Sequence, residues 1–380
     1  LVNAQPIVAR TSHGQIAIAH NGNLVNASLL LNELVMKGSV LQSSSDTEII
    51  LNVIAQYSKG SLEEALKYTC RRLQGTYSLV ILTKDSLMAL RDPFGNRPLC
   101  LGKMGEAYIV SSESCALTSI GAKFIKDIAP GELVRIDHTG IYSKILLESP
   151  CKALCSMEFI YFARPDSNID GQNVHMIRKE MGKELARCFP LDADVIIPVP
   201  DSGLSAAVGF SEESGIPIDI GLVVNRYVGR TFIQPTQELR DRGVLIKLSP
   251  IESVVKGKKV IIIDDSIVRG TTSGIRINVL REAGAKEVHM YISAPPYTHP
   301  CYYGIDVSSR KELIAAAHTV EEIRRIINAD SLHYLPLESL YRATNLSSDK
   351  LCTACFTGNY PICLPDGHNG DKFVIENSCS

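Results

Sequence analysis

Two adjacent acids, Asp264 and Asp265, close the apolar run Ile261-Ile262-Ile263 and lead into Ser266-Ile267-Val268-Arg269-Gly270-Thr271-Thr272. That order of residues suits recognition of a phosphate together with a sugar diol. A buried strand delivers the acids and a Gly/Thr turn then opens a helix, and ligands of open parallel sheets bind at that end of the strands. A helix N-terminus offers unpaired N–H groups and a partial positive charge, Gly270 lets the backbone approach an anion, and the Thr271 and Thr272 hydroxyls add donors. The two carboxylates can accept from vicinal hydroxyls or engage a hydrated magnesium ion, which prefers oxygen ligands and keeps its waters. Phosphate plus diol describes a ribose 5-phosphate. For an isolated acidic pair, the simpler reading is that Asp265 or Ser266 caps the helix.

A second candidate is the run from Asn225 to Pro235. Arg226 and Arg230, with Arg240 and Arg242 beyond, can neutralise a pyrophosphate, while Tyr227 and Phe232 help to exclude water, as a lid would. A solvated surface loop is the alternative. A third candidate is Cys352-Thr353-Ala354-Cys355, two thiolates spaced for one metal or cluster, with Cys155 and Cys301 upstream. Four thiolates from scattered positions can hold a [4Fe–4S] cluster. Tetrahedral zinc is the chemical rival, and buried unliganded cysteines are the third reading.

The elements that position these residues fall into two halves. At 380 residues the chain exceeds the usual single-domain size, so two domains are expected. The first half alternates short apolar runs, Gln15 to Ala19, Tyr77 to Leu82 and Ala107 to Val110, with helical stretches such as Ser61 to Leu73, which suits a layered α+β domain. Glu148-Ser149-Pro150 breaks the pattern and marks a boundary near residue 150. Beyond it, Val195-Ile196-Ile197, Val260 to Ile263 and Val288 to Ile292 read as buried strands of a parallel sheet. Between the last two, Thr271 to Ala283 reads as a helix burying Ile275, Val279, Leu280 and Ala283, capped by Gly284.

Composition narrows the function classes. Hydrophobic residues make up 45%, charged residues 21%, and 39 Lys plus Arg are offset by 41 Asp plus Glu. That balance excludes a disordered chain and argues against a nucleic-acid partner, which usually requires a basic face. No apolar run approaches the roughly 18 residues of a membrane span, and the cytoplasm is the expected compartment. Eleven cysteines, an odd number at irregular spacing, do not suit a secreted disulfide framework.

Taken in order from about Ala4 to Pro361, the segments resemble the glutamine phosphoribosylpyrophosphate amidotransferase family, in its iron–sulfur subgroup. The acidic pair and following loop are similar to the phosphoribosyltransferase signature, Asn225 to Pro235 to that family's lid, and Cys155 to Phe162, His299 to Gly304 and Cys352 to Tyr360 to its cluster-bearing segments. Ala19 to Asn26, Ser43 to Glu48, Arg91 to Leu99 and Ser111 to Ser114 resemble its glutaminase half, although an Asn-Gly taken alone reads more simply as a turn.

The resemblance implies a glutaminase layered domain of the N-terminal-nucleophile (Ntn) hydrolase-like α+β type over 1–150. A type I phosphoribosyltransferase α/β domain with a parallel sheet would follow over 151–345, and a Cys-bearing tail over 346–380. Phosphoribosylpyrophosphate would be held by Asp264, Asp265, Ser266, Arg269, Gly270, Thr271 and Thr272, with Arg226 and Tyr227 from the lid. Magnesium would sit at Ser202, Asp264 and Asp265, although Ser202 could equally be a helix cap. Asn21 and the Gly22 N–H would form an oxyanion hole, and Asp46 would grip the α-amino group of glutamine. Cys155, Cys301, Cys352 and Cys355 would carry the cluster.

The implied reaction displaces pyrophosphate by ammonia, giving phosphoribosylamine, the first step of purine synthesis; a non-catalytic phosphoribosylpyrophosphate sensor is the alternative. The family's N-terminal cysteine nucleophile does not occur in this sequence, so the start reads as a truncation and ammonia is the expected nitrogen donor. Cys70, Cys100 and Cys115 read as buried apolar residues. Purine nucleotides are expected inhibitors, weakened by Val224 where the family carries lysine, and a homo-oligomer is implied.

Overall fold

The computed structural model describes residues 3–224, 248–307 and 309–364. Arg226, Tyr227, Arg230, Phe232, Arg240 and Arg242 of the expected lid lie outside these.

The first half is built on a six-stranded antiparallel sheet in the order Ile7–Thr11, Gly14–Leu24, Gly75–Leu82, Ser86–Arg91, Glu132–Asp137, Gly140–Ile145. Strand alternation turns Ile16 and Ile18 inward, where they meet Ile49, Ile50 and Ile54 of the helix Asp46–Gln56 and Leu66 of the helix Leu62–Arg72. Local sequence fixes where those helices begin. Ser45 caps the first by accepting from the Thr47 N–H, and Ser61 with Glu64 forms a reciprocal capping box on the second. The other sheet face packs through Ala89 and Val134 against Leu99, Leu101 and Ile128, which carry a three-stranded sheet of Ala107–Ser111, Cys100–Met104 and Lys123–Asp127. Helix, sheet and second sheet form the expected layers.

In the second half four parallel strands run in the order Val195–Pro198, Lys259–Asp264, Glu287–Ile292, Ser331–Tyr334. Val260 to Ile263 are fully buried, as strands covered on both faces must be. The helix Thr271–Glu282 follows the acidic strand as expected, and Gly284 takes a left-handed φ of 90° just past its end. Its buried side chains are Ser273, Ile277, Val279 and Leu280; Ile275 and Ala283 are only half-buried. The stripe that faces the sheet therefore lies to one side of the face expected from sequence.

The helices Val174–Cys188 and Leu204–Ser214 cross at backbone contact. A Cβ on Gly182 would lie 1.9 Å from the Ala206 carbonyl oxygen, and one on Gly209 would lie 1.9 Å from that of Lys179. Gly182→Ala should therefore destabilise the fold by about 1–3 kcal/mol, the usual range for overpacking a filled core, read as a lower denaturation midpoint. An unchanged midpoint would show that the two helices can separate freely.

Candidate functional site

Asp264 ends its strand with 2% exposure, and Asp265 follows at 6%. The Oδ1 of Asp264 accepts from the Ser202 hydroxyl at 3.0 Å and from the Asp265 N–H at 3.0 Å, while its Oδ2 accepts from Arg276. Asp265 instead accepts from the Ser266 hydroxyl at 2.5 Å. Burial, and then the charge of Asp264, pushes the Asp265 carboxyl up to about 7. Ser202 reaches this site because its loop lies flat on the strand end, where a Cβ on Gly203 would sit 2.0 Å from the Ile263 carbonyl oxygen.

Both capping alternatives fail in this geometry. The residue capping the helix Thr271–Glu282 is Gly270, at φ 80°, and the one capping Leu204–Ser214 is Gly203. Asp265, Ser266 and Ser202 are therefore left to face one another. Thr271 and Thr272 stand exposed on the helix's first turn. The Arg269 side chain points away to an ion pair with Glu312, so any contact it makes with a ligand in this arrangement must come from its backbone. Sequence reading missed Arg276; a lone Arg between Ile275 and Ile277 on a helix with a buried face was the available signal.

In the first half, Asn21, Gly22 and Asn23 lie within the strand Gly14–Leu24, paired with Ser78, Tyr77 and Thr76, and do not form a turn. The neighbouring carbonyl forces the glycine: a Cβ on Gly22 would meet the Thr76 oxygen at 2.0 Å. Asn21 is exposed, its amide donating to the Ser112 hydroxyl at 3.4 Å. Asp46, the first residue of its helix, accepts from the Leu24 N–H at 3.2 Å and lies 3.2 Å from the His20 Nδ1. Desolvation opposes ionisation of Asp46, but the charge and hydrogen bond of His20 and the backbone N–H donors outweigh it and hold the carboxyl low. For His20 desolvation likewise works against the charge, and Asp46, the Thr76 carbonyl and Asp92 together still raise it. Sequence reading passed over His20, although strand alternation from Ile16 and Ile18 puts it on the buried face.

The four cysteines named from sequence come together. Cys155 and Cys352 are direct partners on the paired strands Leu154–Cys155 and Leu351–Cys352, Cys355 opens the next turn, and Cys301 accepts from the Tyr303 N–H at 3.3 Å. All four are at most 8% exposed. Burial pushes Cys352 to about 12 and Cys155 and Cys355 well above the ordinary thiol, and Cys355 is raised further by the charges of Cys155, Cys352 and Cys301. Among the described residues no three His, Cys, Asp or Glu side chains converge tightly enough for a single metal ion. Cys70, Cys100 and Cys115 are buried and apart from this group, as expected.

Known proteins place both halves. The glutamine amidotransferase domain family matches residues 2–119 and the phosphoribosyl transferase domain family matches residues 170–319. A glutamine amidotransferase joined to a phosphoribosyltransferase defines the class. Amidophosphoribosyltransferase of Bacillus subtilis (strain 168) is 49% identical over 364 residues, 94% of this chain and 76% of that protein. That of Methanocaldococcus jannaschii is 50% identical over 376 residues, 94% of this chain and 79% of that protein. The solved B. subtilis glutamine phosphoribosylpyrophosphate amidotransferase, complexed with ADP and GMP, superposes with a TM-score of 0.91 at 48% identity, over 96% of this chain and 81% of its own. The chain belongs to the amidophosphoribosyltransferase family. No described helix is long and apolar enough to cross a membrane.

The raised His20 gives a pH signature. Because its native value lies above the ordinary 6.5, its stabilising contribution is full below that value and is lost as pH rises through the native one. Denaturation midpoints of the native protein should therefore fall more steeply above pH 6.5 than those of His20→Gln. Parallel curves for the two proteins would show that His20 is not charged in the fold.

Proposed function

We propose that the chain catalyses amidophosphoribosyl transfer, in which ammonia displaces pyrophosphate from C1 of phosphoribosylpyrophosphate to give phosphoribosylamine. The reading rests on one juxtaposition: a buried acidic pair at a strand end, flanked by Ser202 and the Gly270 turn, in the same chain as a glutaminase strand carrying Asn21 and Gly22. Asp265 and Asp264 orient the ribose hydroxyls, and the amides and hydroxyls of Gly270, Thr271 and Thr272 receive the 5-phosphate. Arg226 and Tyr227 are assigned to the closing loop from sequence alone.

Ser202, Asp264 and Asp265 are oxygen donors of the kind magnesium takes, and a bound ion would stabilise the charge of the departing pyrophosphate. In the other half, the Asn21 amide and the Gly22 N–H suit an oxyanion, and the ionised Asp46 suits an ammonium group. Purine nucleotides are the expected effectors, by likeness to the relative solved with ADP and GMP. We assign the boundary near residue 150 and the cytoplasm as the compartment. The first assignment is supported by separate cores on either side, the second by buried thiols outside any disulfide.

The cysteine group is assigned to a [4Fe–4S] cluster, by its resemblance to the family's cluster-bearing segments. Tetrahedral zinc with the same four ligands is the rival. Burial raises Cys155, Cys352 and Cys355, so these thiols need a positive centre before they can ionise together, which a bound metal centre would supply.

Two experiments test these assignments. Asp264→Asn with Asp265→Asn should abolish pyrophosphate release from phosphoribosylpyrophosphate, magnesium and ammonia, with the circular dichroism spectrum retained; normal turnover would remove the site. Cys352→Ser or Cys355→Ser should lose iron and sulfide and lower the denaturation midpoint. Colourless, anaerobically purified native protein with stoichiometric zinc would decide for the rival metal.

A further inference from the structure

The two acids of the pair are not equivalent. Both oxygens of Asp264 are engaged, one by Ser202 and the Asp265 N–H and the other by Arg276, whereas Asp265 accepts from the Ser266 hydroxyl at its Oδ2, with Ser202 and Asp264 beside it, and pairs with no cation among the described residues. Arg276 projects from the second turn of the helix whose first turn forms the phosphate loop, and its ion pair with Asp264 is largely shielded, at 17% and 3% exposure. Its Nε–H is buried without an acceptor, so the guanidinium is oriented chiefly by Asp264. Arg178, which feels the charge of Asp265, donates its Nε–H and an Nη–H to the carbonyls of Phe159 and Ala163, at 2.6 and 2.8 Å, and forms no ion pair with it. Arg276 is thus the one cation in an ion pair with the acidic pair among the described residues.

We propose that Arg276 is the resident counter-ion of the diol site, a positioning residue that holds Asp264 as an anchored, already neutralised carboxylate and leaves Asp265 to meet the ligand. Rebuilt on the assignment of the acidic pair made above, the site has a definite order of filling. Two ionised carboxylates side by side would attract a divalent cation before any substrate arrived, because oxygen-ligand affinity rises with ligand charge. With one carboxylate occupied by a guanidinium the free site is a poor cation trap, and a divalent ion would be held there only when a ligand brings further oxygen donors. The device keeps the substrate-free site from being closed by free metal.

Manganese, a paramagnetic stand-in for magnesium, would be titrated into the protein without any phosphoribosyl ligand, the free ion being read by electron paramagnetic resonance. Removing one positive charge at ion-pair distance in Arg276→Gln should tighten manganese binding by about tenfold. Adding Asp265→Asn to that variant should cancel the gain, and Arg276→Lys, which keeps the charge, should bind as the native protein does. Equal binding by native protein and Arg276→Gln would overturn the proposal. If Arg276→Gln does not fold by circular dichroism, Arg276→Met keeps the packing of the stem and is read in the same way. Equilibrium binding of phosphoribosylpyrophosphate with magnesium to Asp265→Asn separates the two levels. Native-like binding there removes the acidic-pair site itself, whereas lost binding with an unchanged manganese titration removes only the part given to Arg276.

Discussion

Three successive backbone carbonyls hold the two halves in register. Those of Tyr302, Tyr303 and Gly304 accept from the side chains of Asn23, Thr76 and Arg97, at 2.9, 3.0 and 3.2 Å. Each donor belongs to the first half and each acceptor to the second, and Thr76 and Tyr303 are buried there. An unmatched carbonyl would carry a desolvation cost of about 1–3 kcal/mol, so the seam cannot slide by one residue without leaving acceptors empty. A Cβ on Gly304 would come within 3.1 Å of the Gly22 backbone, which puts the second half directly behind the Asn-Gly strand. Cys301 begins the same segment, so one short stretch of chain touches the cysteine group at one end and the strand of Asn21 and Gly22 at the other.

Around that seam, two buried arginines are matched by carboxylates of the other half. Arg91, with 1% of its surface exposed, donates to the carbonyls of Arg97, Ile128 and Gly95 and pairs with Asp170 of the second half at 2.9 Å. Arg97 pairs with Glu158 at 2.6 Å across the same boundary. Such pairs add little net stability against an apolar packing, but losing one partner strands the other without compensation, so they specify how the halves meet more than how tightly. His20 with Asp46 and Arg276 with Asp264 repeat the arrangement inside the two candidate sites. In both, a carboxylate of the candidate site is oriented by a basic side chain from within its own half.

The sequence made the layered and parallel-sheet halves legible because their signals are local. Ile261 to Ile263 could only be a buried strand, and Gly270 before Thr271 could only open a helix next to it. The acidic pair and Cys352 with Cys355 stood out for the same reason, each lying in a short run whose residue types suggest the chemistry, whereas Ser202, Cys155 and Cys301 were singled out through the family resemblance. What was not legible depends on contacts between distant segments. Arg276 and His20 look like ordinary helix and strand residues until Asp264 and Asp46 are brought beside them. The buried face of Thr271–Glu282 was misjudged because Ile275 and Ile277 satisfy a helical stripe almost equally well, and only the packing chooses Ile277. Asn21-Gly22 carries a turn signal that the pairing with Ser78 and Tyr77 overrides, and the close Thr76 carbonyl leaves room only for a glycine at 22.

The same closeness explains why chemistry divided between two halves needs a seam of hydrogen bonds and not only an apolar one. Apolar contact is nondirectional and would let the halves rotate by small angles at little cost. Directed bonds to consecutive carbonyls fix both distance and rotation, because each acceptor must stay near the line of its own donor. Ammonia released in one half for use in the other would have to find its acceptor before it is protonated by water, so the proposed function would make the relative placement of the halves a catalytic requirement. Val25 reinforces that placement from the apolar side. It directly follows the Gly14–Leu24 strand, yet its side chain is buried in the core of the second half, so the strand that carries Asn21 and Gly22 ends inside the domain that carries Asp264 and Asp265.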